Sequence, residues 1–170
     1  SEARKVVSIL NGRKLQYPVW LDLEYHNQRT LGAESIHKMA DAFRKIVEAA
    51  GYKFGIYCNV NWYTNMICSH LKKYDFWIAR YPASDNGTVV ERLRPDFGVG
   101  WQYSSKAVIP GISTKVDRSV FYKDYAAETK KEDTIVSTTD KLKEFTDLGD
   151  FYAGEGTGKP YLEKKTNAFL

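Results

Sequence analysis

The sequence predicts an α/β fold, a parallel sheet or barrel in which strands alternate with helices. Two observations predict it. Short, apolar, β-prone runs recur at about 17–24, 53–60, 75–81, 99–105 and 112–121. Stretches with helical spacing separate the first three of them, which is the βα rhythm of a parallel sheet.

Taken in order, the opening "EARKVVSIL" spaces Ala3, Val6, Val7, Ile9 and Leu10 helically and stops at Asn11-Gly12, a C-cap pair. "YPVWLDLEYHN" then alternates: Val19, Leu21 and Leu23 fall on one side of a strand, Trp20, Asp22 and Glu24 on the other. In "ESIHKMADAFRKIVEAAGY" the residues Ile36, Met39, Ala40, Phe43, Ile46, Val47 and Ala50 form one stripe ending on Gly51, an amphipathic helix. His37 lies off that stripe and reads as a solvated surface residue. "KFGIYCNV" is the second strand, and "NWYTNMICSHLKKY" reads as a helix closing near Lys72-Lys73. "DFWIARY", "VGWQYSS" and "ISTKVDRSVF" supply the remaining strands, with "ASDNGTVVERLRPDF" as a loop. Residues 125–170 are polar and rich in Thr, Lys and acids, and read as a linker with a short helix near 138–147, or as the start of a further module. The glycines of "GEGTGK" lack both the spacing and the preceding strand of a phosphate loop.

With 170 residues, 43% of them hydrophobic and 14% aromatic, the chain can form one domain with a real core, or part of a larger one. No apolar run approaches the length of a membrane span, and no leader-like segment opens the chain. Cys58 and Cys68 stand in unlike contexts without metal-ligand spacing, so free thiols are expected and no metal or cofactor is called for. The net charge of +4 is uneven: residues 1–123 hold 18 Lys/Arg against 11 Asp/Glu, and residues 124–170 hold 7 against 10. A basic body favours an anionic partner, yet the cations neither cluster nor interleave with aromatics as a nucleic-acid surface requires.

Asp22 and Glu24 are the chemistry-bearing pair. At about 3.3 Å per residue they project from one strand face roughly 7 Å apart, close enough to share a substrate. Like charges beside aromatic rings push at least one carboxyl's pKa upward, which keeps it protonated near neutrality as a general acid. Such a pair is the minimum equipment for splitting a glycosidic bond. Alone, it fits better two solvent-facing residues at a strand end. The other strands shift the balance, because "FGIYCN", "FWIARY" and "WQYSS" end in aromatic and polar groups where barrel enzymes place their sites.

The runs "PVWLDLE", "GIYCN", "FWIARY", "WQYSSKAVIPGISTKVD" and "SVF", in that order and spacing, resemble the family 25 glycoside hydrolases, bacterial and phage N-acetylmuramidases, over residues 1 to about 124. The resemblance implies a (β/α) barrel of glycosidase type, incomplete here, with strands 4 to 8 of eight present in residues 1–124. It implies a muramidase cleaving the β-1,4 bond between N-acetylmuramic acid and N-acetylglucosamine in peptidoglycan, secreted or acting at the cell wall, without cofactor. Glu24 inherits the role of general acid. Asp22 orients and polarises the substrate's 2-acetamido group or stabilises the oxocarbenium-like transition state. Asp117 matches a cleft-floor aspartate, although Ser119 stands where the family has Asn. Tyr57, Asn59, Trp77, Tyr81, Trp101 and Tyr103 are candidate cleft walls.

The family's N-terminal strands, including one with an active-site aspartate, have no counterpart in residues 1–16 or in the tail. The expectation is therefore a chain whose bare sheet edges pair with another copy or with the tail, or stay partly molten, and which alone has little activity. The alternative function is a non-catalytic fragment that binds cell-wall glycan.

Overall fold

The computed structural model describes residues 1–128. The chain divides into two units, Ser1–Asp124 and Tyr125–Leu170, and every element named below belongs to the first. The helix expected near 138–147 lies outside the described residues.

Helix α1 spans Glu2–Leu10, and its C-cap Asn11 adopts the left-handed conformation (φ 47°, ψ 47°) its sequence predicts. Ala3 is buried and Val6 and Leu10 pack on the core, but Ile9 is 59% exposed and falls off the expected stripe. Strand β1 is shorter than expected, Val19–Asp22. Helix α2, Gly32–Ala49, buries Ile36, Ala40, Phe43 and Val47, the heart of the predicted face. Each of its larger apolar side chains contributes about 1.5–3 kcal/mol relative to exposure. Strand β2 (Phe54–Asn59), helix α3 (Val60–Asn65), and strands β3 (Asp75–Ala79), β4 (Gly100–Ala107) and β5 (Val116–Phe121) follow.

The stretch after β2 is not one helix. Trp62 and Ile67 are both buried, yet five residues of continuous α-helix would set them about 140° apart. The chain resolves the conflict by stopping: Trp62 O accepts from both Met66 N and Ile67 N, Cys68 becomes extended, and a short 3-10 turn, Ser69–Leu71, completes the connection.

The five strands form one sheet in sequence order, and β1 to β4 run parallel. β5 is antiparallel to β4, a departure from the all-parallel expectation. Its cause is the connection, 108–115, which is too short for a crossover helix and turns on Ile109-Pro110-Gly111-Ile112. There Ile112 N donates to Ile109 O, and Gly111 has φ 87°, which a type II turn demands.

Lateral pairing sorts the side chains into two faces. Leu21, Ile56 and Phe76 share one row and Cys58, Ile78, Trp101 and Val120 another, on the face whose Leu21, Ile56, Cys58, Phe76 and Ile78 pack with the helices in the core. On the other face one row runs Asp22, Tyr57, Trp77, Gly100, Phe121 across all five strands, and the next runs Asn59, Ala79, Gln102, Ser119. The sheet curls around this second face until rings of the two outermost strands touch: Trp20 and Phe121 have centroids 5.7 Å apart. Two glycines make the curl possible. A Cβ on Gly55 would meet the Trp20 indole at 2.4 Å, and one on Gly100 would meet the Phe121 ring at 2.5 Å.

The long loop before β4 is pinned by Asp85. Its carboxylate accepts from Gly87 N (3.0 Å), Ser105 N (2.7 Å) and the hydroxyl of Ser104 (3.1 Å). Burial alone would raise its pKa, but these donors outweigh that and hold it below the ordinary aspartate value.

Gly55→Ala is expected to expel the Trp20 indole from the curl, to destabilise the fold by about 1–3 kcal/mol and to lower its melting temperature by about 5 °C or more. Circular dichroism melts and the tryptophan emission maximum measure this; an unchanged melt with unshifted emission would show that the indole does not rest on Gly55.

Candidate active site

Asp22 ends β1 and Glu24 follows two residues later, both exposed, while Leu21 and Leu23 between and beside them are buried. The alternation of the sequence thus survives past the end of the strand. Leu23 N donates to Tyr57 O, which carries the strand-like path one residue further and keeps Glu24 in phase with Asp22. Asp117, at the start of β5, is exposed and close enough for its charge to act on Glu24.

The electrostatics of the three acids follow from this gathering. The Glu24 pKa is raised by partial burial, then by the charges of Asp22 and Asp117. Asp22 is raised by partial burial and by Glu2 of α1. Both carboxyls are therefore held above their ordinary range by partial burial and by neighbouring acids.

Around the acids lies an aromatic wall. Trp77 sits at its centre, with ring centroids 4.9 Å from Tyr57, 5.9 Å from Trp20 and 5.5 Å from Phe121. Its indole N–H donates to the Ser119 hydroxyl at 3.1 Å, so Ser119 is engaged in orienting Trp77. The Tyr57 hydroxyl donates to Gln102 Oε1 at 2.6 Å. Burial, then the charges of Glu24, Tyr81, Asp22 and Asp117, raise the Tyr57 pKa far above that of a free phenol, so it is neutral at any working pH. A cavity of about 530 Å³ opens beside Asp22 and Glu24, with Glu2, Trp20, Tyr25 and Gln28 also on its lining. Gln28 Oε1 is buried there without a hydrogen-bond partner among the described residues.

Of the candidate wall residues, Tyr57, Asn59 and Trp77 lie on the acidic face, and Tyr81, 41% exposed, lies near enough to act on Tyr57. The Asn59 side chain is already engaged, accepting from Trp62 N at 3.0 Å as the N-cap of α3. Trp101 and Tyr103 are not brought to this face. Trp101 shares the helix-covered row with Ile78, is 1% exposed and donates its indole N–H to Arg80 O at 2.7 Å. Tyr103 is buried against it, ring centroids 5.7 Å apart. Sequence reasoning missed Gln102. Its position between the outward Trp101 and Tyr103 puts it on the opposite face by alternation, the signal that could have found it.

These features define a curled, mainly parallel sheet with carboxylates and aromatic rings at its C-terminal end, the arrangement of barrel glycosidases. The chain belongs to the glycosyl hydrolases family 25, whose profile matches residues 1–112. The match stops short of β5 and therefore does not reach Asp117.

Solved structures agree with the family. The chain is 25% identical to GHIP, a glycosyl hydrolase 25 of Streptococcus pneumoniae participating in host cell invasion, with 70% of this chain and 50% of that one covered and a TM-score of 0.56. It is 25% identical to the catalytic domain of endolysin ply40 from bacteriophage P40 of Listeria monocytogenes, covering 75% and 62% at a TM-score of 0.54. The CTP1L endolysin is 26% identical, with 77% and 44% covered and a TM-score of 0.51. The chain thus spans between 44% and 62% of the length of these relatives. No curated protein matches it.

Tyr57→Phe is expected to remove one group from the alkaline end of the phenol absorbance titration, leaving the groups near the ordinary tyrosine value untouched. Loss of a group near pH 10 instead would place the Tyr57 hydroxyl in solvent.

Proposed function

We propose that the chain supplies the acid-bearing part of a peptidoglycan hydrolase of muramidase type, acting at the cell wall on the β-1,4 bond between N-acetylmuramic acid and N-acetylglucosamine. The observation that carries this reading is the convergence of Asp22, Glu24 and Asp117 at one end of a curled sheet whose concave face is aromatic. Sugar rings stack on such faces through their C–H bonds, and Trp77, Tyr57 and Tyr81 present them beside the acids. The neighbouring endolysins and the family's description support the substrate class.

In this reading Glu24 protonates the leaving glycosidic oxygen. Asp22, ionised, holds the 2-acetamido N–H so that the acetamide carbonyl oxygen attacks the anomeric carbon, or else stabilises the oxocarbenium-like charge there. Water then completes hydrolysis, with the Glu24 carboxylate taking its proton. Asp117 keeps the Glu24 proton in place through its negative charge. Tyr57, neutral and fixed by Gln102, positions the sugar without exchanging a proton.

Digestion of purified peptidoglycan by the intact protein, followed by mass analysis of new reducing ends, tests the proposal. Muramic acid at those ends is expected. Glucosamine there would make the enzyme a glucosaminidase, and binding without new ends would make the chain a glycan-binding fragment. Glu24→Gln is expected to lower the rate by about 10²–10⁴-fold while leaving glycan binding intact, since only the transferable proton is lost.

The pH profile has a determined shape. Because Glu24 must be protonated, activity falls as pH rises through its elevated pKa; because Asp22 must be ionised, it falls again as pH drops through that of Asp22. A bell peaking on the acidic side of neutral is expected in initial rates of wall lysis, and a rate that climbs into alkali would remove Glu24 from the acid role.

A further inference from the structure

On the helix-covered side of the sheet, His37 of α2 meets Cys68 and His70 of the connection that leads to β3. The donor atoms of the three side chains all lie within 4.8 Å of one another. The two imidazoles are parallel within 4°, centroids 5.4 Å apart. Cys68 is a free thiol, it and His37 are half-buried and His70 is exposed, so an ion can reach the group from solvent. No hydrogen bond or ion pair occupies these three side chains among the described residues. His37, read from the sequence as merely solvated, is therefore one side of a three-donor cluster. Spacing around each cysteine concealed it, because one donor comes from a helix 31 and 33 residues before the other two.

We propose that His37, Cys68 and His70 form a binding site for a borderline-soft divalent cation, of which Zn²⁺ is the best fit. One sulfur and two imidazole nitrogens are the donor set that zinc accepts and that calcium and magnesium refuse. In a tetrahedral zinc site such donors stand roughly 3.3–3.7 Å apart, so closure asks for about 1 Å of movement. The exposed His70 ring is free to make most of it by turning out of its parallel stack. Binding displaces the Cys68 thiol proton to solvent, both imidazoles bind neutral, and water fills the fourth position. The break after α3 is what creates the site, because a continuous helix would carry Cys68 and His70 away along its axis. A bound ion ties α2 to the segment entering β3, bracing the two connections on either side of β2. The proposal does not depend on the hydrolase reading.

The test uses the full chain stripped of metal, with Co²⁺ as spectroscopic probe and Zn²⁺ as competitor. One equivalent of Co²⁺ is expected to produce a thiolate-to-cobalt charge-transfer band and the visible bands of a tetrahedral ion, both abolished by Zn²⁺. Cys68→Ser removes the charge-transfer band, and His70→Ala weakens binding at least about tenfold. Zn²⁺ raises the melting temperature of the wild type but not of Cys68→Ser. Cys58 does not substitute as the thiolate, because it is fully buried and stands outside the three-donor cluster. The proposal is overturned by absence of the charge-transfer band at excess Co²⁺, by unchanged affinity in both variants, or by a band that persists undiminished in guanidinium chloride, which would assign binding to the unfolded chain. Overlapping far-ultraviolet spectra of wild type and variants confirm that folding is not the variable.

Discussion

Constant lateral parity across the sheet is the constraint on which everything else depends. From β1 to β4 the strands pair without a slip, so Asp22, Tyr57, Trp77 and Gly100 fall in one row that Phe121 completes. A slip of one residue in any strand would send its member of the row to the helix-covered side and bring an apolar neighbour to the acids. The bulged part of β4 lies beyond this row, between Gln102 and Ala107, where loss of register no longer disturbs it. Aromatic contacts reinforce the row, each worth about 0.5–1.5 kcal/mol beyond its buried area.

Much of this was legible in the sequence, for identifiable reasons. Helix α2 and the strands announce themselves because their burial is one-sided and long enough for periodicity to register. The acid face of β1 follows from alternation alone. What stayed hidden depends on pairing rather than pattern. The break after Asn65 arises because Trp62 and Ile67 both have places in the core, and no local signal reports that. The reversal of β5 was available in Pro110-Gly111 and the shortness of the connection, but a β-prone run carries no arrow of direction. Gln102 is conspicuous only once Tyr57, 45 residues away in sequence, is seen to donate to it. Trp101 and Trp77 look alike in sequence, and only the register separates packing from wall.

The electrostatic arrangement is also a product of the fold. Residues 1–123 are basic in sum, yet the curl collects three acids at one mouth and α1 brings Glu2 toward Asp22. The sheet thereby sets local charge against net charge. Among the described residues no cation lowers the pKa of Asp22 or Glu24, and partial burial strengthens the repulsion between the acids. The stability this costs is offset elsewhere, in apolar rows on the covered face and in the Asp85 hydrogen bonds that hold the long loop.

The reversed last strand has one more consequence. Because β4 runs outward and β5 returns, their connecting tip projects at the same end as Glu24, with Val108 and Ile112 exposed upon it. A crossover helix in this place would have to pack on the core, and its length would be tied to the barrel's dimensions. A hairpin tip has no such tie. Residues added to or removed from it leave the paired rows where they are, so the rim beside the acids can lengthen, shorten or change its apolar content while the arrangement of the acids beneath stays constant.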